Sequence, residues 1–166
     1  MTGAEMRHDL PDLAAMSEFG RRIAQVLRAG DVVALEGGLG AGKTTLSRAI
    51  IAALGFSGEV PSPTFTIIET YDAPPLSLPV VHADFYRLND PSELEEIGLE
   101  DYREGAVLIA EWPDHAGGFG HERACLSIKL QSVNIDANGK GADAKGADEG
   151  RIAIARGGAD WLERMP

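Results

Sequence analysis

Apolar residues recur at steps of three and four between positions 12 and 29, through Leu13, Met16, Phe19, Ile23, Val26 and Leu27. That period predicts an amphipathic helix, with Asp12 placed to cap its start and Gly30 to stop it. Val32, Val33, Ala34 and Leu35 then form a short unbroken apolar run leading into glycines, as a strand covered on both faces of a parallel sheet does. Helical spacing returns over residues 43 to 54 through Leu46, Ala49, Ile50 and Ala53, and Gly55 supplies a stop. Strand, glycine loop and helix follow one another without interruption.

Residues 60 to 71 begin rich in Pro, Ser and Thr and continue into Phe65, Thr66, Ile67 and Ile68, which predicts an exposed loop entering a strand. The three prolines between 72 and 79 mark a turn, and residues 80 to 85 another strand. Asp90, Pro91, Ser92 and Glu93 carry a helix-start signature, with Asp90 as cap and Glu93 as the capping-box acid. A short helix is expected to end near Gly98, and a second to cover residues 99 to 103. Residues 107 to 110 form a further apolar strand ending at Glu111. Residues 126 to 133 and 151 to 155 pair as a C-terminal antiparallel hairpin, joined by a flexible loop of Gly, Ala, Asp and Lys over 136 to 150. The expected architecture is a three-layer α/β fold with a mostly parallel sheet, and residues 1 to 166 form a single domain.

Composition narrows the chemistry. Fifteen basic against 26 acidic residues leave a net charge of −11, which argues against holding nucleic acid unaided through a basic face. Cys125 is the only cysteine, so no internal disulfide forms, and residues 1 to 10 have neither an apolar signal core nor an Arg-rich amphipathic pattern. No apolar run reaches the roughly 20 residues that a bilayer crossing takes. A soluble, cytoplasmic protein with no membrane association is expected.

The glycine cluster carries the sharpest chemical signal. Gly37, Gly38, Leu39, Gly40, Ala41, Gly42, Lys43 and Thr44 fit the pattern G, four residues, G-K-[ST], and sit between a predicted buried strand and a predicted helix. Glycines let the backbone turn tightly enough for successive N–H groups to face phosphate oxygens, and the helix adds its positive end. Lys43 is expected to pair with the β and γ phosphates, Thr44 to offer its hydroxyl to Mg²⁺, and the amides from Gly40 to Thr45 to form the cradle. The N-K-x-D segment usual in GTP-specific relatives of this loop is not found, so ATP is the expected nucleotide.

Such a nucleotide also needs acids that hold Mg²⁺ and orient water, usually at the carboxyl ends of neighbouring strands. Asp84 follows the run from Val80 to Ala83, and Glu111 follows the run from Val107 to Ala110. Each reads either as a site acid or as a solvated strand-end carboxylate. Ser62, Thr64 and Thr66 belong to a segment that reads either as a switch loop near the γ-phosphate or as a surface turn. Arg87 reads more readily as a structural ion-pair partner than as a catalytic cation. His82, His115, His121 and Cys125 lack metal-ligand spacing and read as structural or exposed.

Four segments together resemble the TsaE (YjeE) family of small bacterial ATPases: residues 38 to 45, Ser-Pro-Thr-Phe-Thr at 62 to 66, His-Ala-Asp-Phe-Tyr-Arg-Leu at 82 to 88, and Glu-Trp-Pro at 111 to 113. The resemblance spans roughly residues 10 to 130 and implies a P-loop NTPase fold. It also implies a role in making N6-threonylcarbamoyladenosine at tRNA position 37, through binding to the TsaB–TsaD complex, with tRNA reached only indirectly. By motif, Lys43 matches the phosphate-binding lysine, Thr44 the Mg²⁺-binding hydroxyl and Glu111 a metal-holding acid. Asp84 matches the acid that positions water or supports the metal, and Trp112 lies where it reports nucleotide binding. Gly38 departs from the pattern, since relatives commonly carry an acid there.

The reading is therefore Mg²⁺-dependent ATP hydrolysis with a low basal rate, because no intrinsic arginine finger is visible. Two alternatives remain at this level. A small-molecule kinase shares the loop, but the segment from 136 to 150 offers Lys140 and Lys145 and no arginine for a lid. A nucleotide-gated binding module would use the same cradle with negligible hydrolysis.

Overall fold

The computed structural model describes residues 4–63, 67–133 and 150–166. Its seven-stranded sheet has the order β1-β7-β6-β2-β5-β4-β3. The strands are β1 (Ala4–Leu10), β2 (Val32–Glu36), β3 (Ile68–Tyr71), β4 (Val80–Asp84), β5 (Val107–Glu111), β6 (Cys125–Val133) and β7 (Gly150–Gly157). β6, β2, β5 and β4 run parallel, while β7, β1 and β3 join antiparallel. The parallel centre and the C-terminal hairpin agree with the sequence pattern. Residues 134–149, which hold nearly all of the expected flexible loop, lie outside the described residues.

Central strands are buried on both faces. Val33 and Leu35 of β2 enter one apolar cluster with Val107 and Ile109, whereas Val32 and Ala34 enter the other with Leu108 and Ala110. The first face is covered by α1 (Leu13–Val26) and α2 (Lys43–Ala53). Gly20 makes their close crossing possible, because a Cβ there would meet Ala49 Cβ at 2.6 Å. On the second face lie the short helices α3 (Glu93–Ile97) and α4 (Leu99–Arg103), with Phe85, Leu88 and Phe119 filling the layer.

Several boundaries differ from the sequence expectation. Asp12 caps α1 as expected, its carboxylate accepting Ala15 N–H at 2.8 Å, but the helix ends at Val26 rather than Ala29. Leu27 turns extended, and Gly30, at φ +90°, belongs to the turn into β2. Helix α3 starts at Glu93 without a side-chain cap, and Asp90 instead accepts Ser92 N–H at 2.8 Å in the preceding turn. β1 was not anticipated: it is mostly polar, pairs with β7 alone and lies at the sheet edge, so neither alternation nor continuous hydrophobicity marks it.

Candidate functional site

Parallel strands carry their last residues to one edge of the sheet, and this brings the two predicted acids together. Asp84 and Glu111 are register partners across β4 and β5, and Leu35 of β2 pairs with Glu111 on the other side. Immediately beyond β2 the chain forms the glycine loop and starts α2 at Lys43, with Gly42 in the left-handed region at φ +104°. A side chain at Gly42 would be strained by that φ and would also sit 3.1 Å from Met16 Cε. A cavity of about 260 Å³ opens here, lined by Leu39, Gly40 and Gly42, by the first residues of α2, and by Asp84, Glu111, Trp112 and Arg151.

Glu111, 2% exposed, is the hub. Thr44 Oγ1 donates to its Oε1 at 2.8 Å, and Ser47 Oγ to its Oε2 at 3.4 Å. His82 Nε2 lies 2.6 Å from Oε2. The predicted metal hydroxyl and metal acid are thus already in contact. Asp84 is buried, and its Oδ1 accepts Tyr86 N–H at 2.9 Å.

Lys43 donates to Gly37 O at 2.7 Å and Gly38 O at 2.8 Å, and its ammonium lies 4.3 Å from the centre of the Trp112 ring. An ammonium has three protons, so two bonds to the loop leave one donor for a ligand. Burial pushes the Lys43 amine below its ordinary range, opposed by the charges of Glu111 and Asp84. Trp112 occupies the left-handed region at φ +55°, a strained conformation for a bulky residue. Its ring packs 5.0 Å from Tyr86 and 5.5 Å from His115, centre to centre.

Not every residue put forward by the sequence lines the cavity. Ala41 is buried and its N–H bonds to Gly38 O at 3.2 Å, so neither Gly38 nor Ala41 faces the opening. No atom lies within 4 Å of a Cβ placed on Gly38, so an acid would fit there. Thr64 and Thr66 lie outside the described residues. Ser62 and Arg87 are exposed and away from the cavity, although Ile67 O accepts Asp84 N–H at 2.9 Å and so ties the loop exit to that acid.

Two residues of the site escaped sequence reasoning. His82 takes the structural of its two readings, fully buried with Nε2 against Glu111, but the sequence did not connect it to that acid; its alternate position to Val81 and Ala83 in β4 was the available signal. Arg151 reaches the glycine loop from β7, donating from Nε to Ala41 O at 2.9 Å and from Nη2 to Gly40 O at 3.1 Å. No local pattern marks a contact across 110 positions.

The donor set suits a hard cation completed by phosphate oxygens. Thr44 and Glu111 offer oxygen ligands beside the cradle, and among the described residues no His, Cys, Asp and Glu cluster could hold a metal by itself. Mg²⁺ typically binds through one or two protein oxygens plus substrate phosphates, so these residues fit it.

Comparison with known proteins agrees with the geometry. A family model described as "Threonylcarbamoyl adenosine biosynthesis protein TsaE" matches residues 10–140. The chain is 38% identical over 133 residues to the tRNA threonylcarbamoyladenosine biosynthesis protein TsaE of Haemophilus influenzae, covering 76% of this chain and 79% of that one. The Streptomyces coelicolor protein of the same name is 46% identical over 98 residues, covering 58% and 66%. A crystal structure of Bacillus subtilis YdiB aligns with a TM-score of 0.68 at 27% identity, covering 97% of this chain and 91% of that one.

Proposed function

The chain belongs to the TsaE family of tRNA threonylcarbamoyladenosine biosynthesis proteins, and from that premise we propose that it is a Mg²⁺-dependent ATPase coupled to a TsaB–TsaD complex. The observation that carries the reading is the Thr44 to Glu111 hydrogen bond at 2.8 Å. It joins the first turn after the phosphate loop to an acid at the end of β5, so cradle and acid form one site.

In this proposal the amides of Gly40, Gly42, Lys43, Thr44 and Thr45 hold the β and γ phosphates, and Lys43 gives its remaining proton to a phosphate oxygen. Thr44 and Glu111 would hold Mg²⁺, which would supply positive charge to offset the charge that develops on the phosphate oxygens. His82, against Glu111 Oε2, keeps that carboxylate turned toward Thr44. Asp84 orients the attacking water or supports the metal from the adjacent strand. Water then displaces ADP from the γ-phosphoryl group, giving ADP and inorganic phosphate. The net charge of −11 fits tRNA being reached through partners rather than directly.

The test measures phosphate release from ATP and Mg²⁺ with and without purified TsaB and TsaD. Stimulated turnover, with labelled γ-phosphate appearing as inorganic phosphate, is expected. Unchanged turnover on adding both partners would remove the coupling, and label transferred to an organic acceptor would identify a kinase.

A further inference from the structure

A phosphate loop works only if its peptide planes are turned so that N–H groups face inward, and this leaves carbonyl groups facing outward and in need of partners. Gly40 at φ +77° and Gly42 at φ +104° make those reversals. The carbonyls of Gly40 and Ala41 are both taken by one guanidinium, through Arg151 Nη2 at 3.1 Å and Nε at 2.9 Å. The third arm, Nη1, donates to Gly150 O at 3.1 Å and anchors the fork to its own strand. That strand is held from both sides, since Arg151 pairs with Leu10 of β1 and Ser132 of β6. The guanidinium is thus a rigid bracket between the sheet and the loop.

Charge points the same way. Among the described residues lining the cavity, the cations are Lys43 and Arg151, and the anions are Asp84 and Glu111. Without Arg151 the lining would carry a net negative charge toward an incoming polyphosphate.

We propose that Arg151 is a positioning residue for polyphosphate binding: its forked bonds to the Gly40 and Ala41 carbonyls hold the loop with its amides facing the ligand. This inference rests on the nucleotide-binding reading above. A planar fork is required, because a lysine ammonium supplies the charge without two fixed, parallel donors.

The test uses the full chain and three ligands that share only the diphosphate unit: inorganic pyrophosphate, ADP and ATP, each titrated calorimetrically with Mg²⁺. Arg151→Met is expected to weaken all three by a similar factor, on the order of 10- to 100-fold, and Arg151→Lys to recover only part of it. Amide hydrogen exchange in the ligand-free Arg151→Met variant should accelerate at Ala41 and Leu46, whose N–H groups bond to Gly38 O and Gly42 O, while the central strands keep wild-type rates. Pyrophosphate affinity within twofold of wild type would overturn the proposal, even if ADP affinity fell, since the guanidinium would then serve the nucleoside. Full recovery by Arg151→Lys, or faster exchange spread evenly over the sheet, would also overturn it. If the wild-type chain binds none of the three ligands, the ATPase reading itself fails.

Discussion

The two ends of the five-residue strand β2 are built on opposite terms. At its amino end, Asp31 accepts Arg28 N–H at 2.7 Å and both Arg164 terminal nitrogens at 2.6 and 2.7 Å. Arg164 also donates to Val26 O at 2.8 Å and lies over the Trp161 ring at 4.1 Å. Charge, hydrogen bonding and packing are matched. At its carboxyl end, the Lys43 ammonium is held where burial disfavours its charge. Trp112 is strained, and His82 Nδ1 is buried with no partner among the described residues. One end spends its polar groups on itself, while at the other Lys43 keeps one proton for a ligand after its two bonds to the loop.

The two ends should therefore fail differently. Arg164→Ala strands a buried carboxylate and should cost about 3–5 kcal/mol of stability in urea unfolding, while nucleotide affinity of the folded fraction stays at the wild-type value. A loss under about 1 kcal/mol would break the comparison at its stable end. At the opposite end, Glu111→Gln should lower ATP turnover by roughly 10²- to 10³-fold, with a much smaller shift in the unfolding midpoint. Turnover within tenfold of wild type would remove Glu111 from the chemistry.

Acidity sharpens the contrast. Cys125, which opens β6 beside Val32, is buried, and desolvation pushes its thiol from 9.0 up to about 11. Between those values the unfolded chain has released the thiol proton and the fold has not, so stability falls as pH rises, by up to roughly 2–3 kcal/mol. Lys43 acts in the reverse sense. Its folded amine loses a proton before the unfolded one does, so its contribution to stability increases as pH rises toward 10.5. Cys125→Ala should therefore reduce the alkaline loss in pH-dependent unfolding, and an unchanged slope would contradict the burial of the thiol. The smallest effect is expected for Gly42→Ala, about 1–2 kcal/mol from the left-handed backbone, with calorimetric nucleotide affinity falling alongside. An alanine variant as stable as wild type would show that the loop geometry is not strained.

The parts of the site legible in the sequence were those encoded within a few residues. A phosphate loop is a local object, so Gly42, Lys43 and Thr44 announced it, and an acid closing an apolar run pointed to the strand ends at Asp84 and Glu111. β1 was not legible, because a polar edge strand is stabilised by the partner it pairs with rather than by any pattern of its own. Nor was the bond between His82 and Glu111, 29 positions apart, since it depends on β4 and β5 being neighbours in register.

By itself, then, the sequence determined the element types other than β1, the parallel centre and the place of the glycine loop between β2 and α2, because short-range backbone preference and hydrophobic period act along the chain. Strand order was decided only in three dimensions. It sets Glu111 beside Thr44 and carries Arg151 to Gly40, because which strands adjoin is chosen by the mutual burial of whole faces, a property that no single segment possesses.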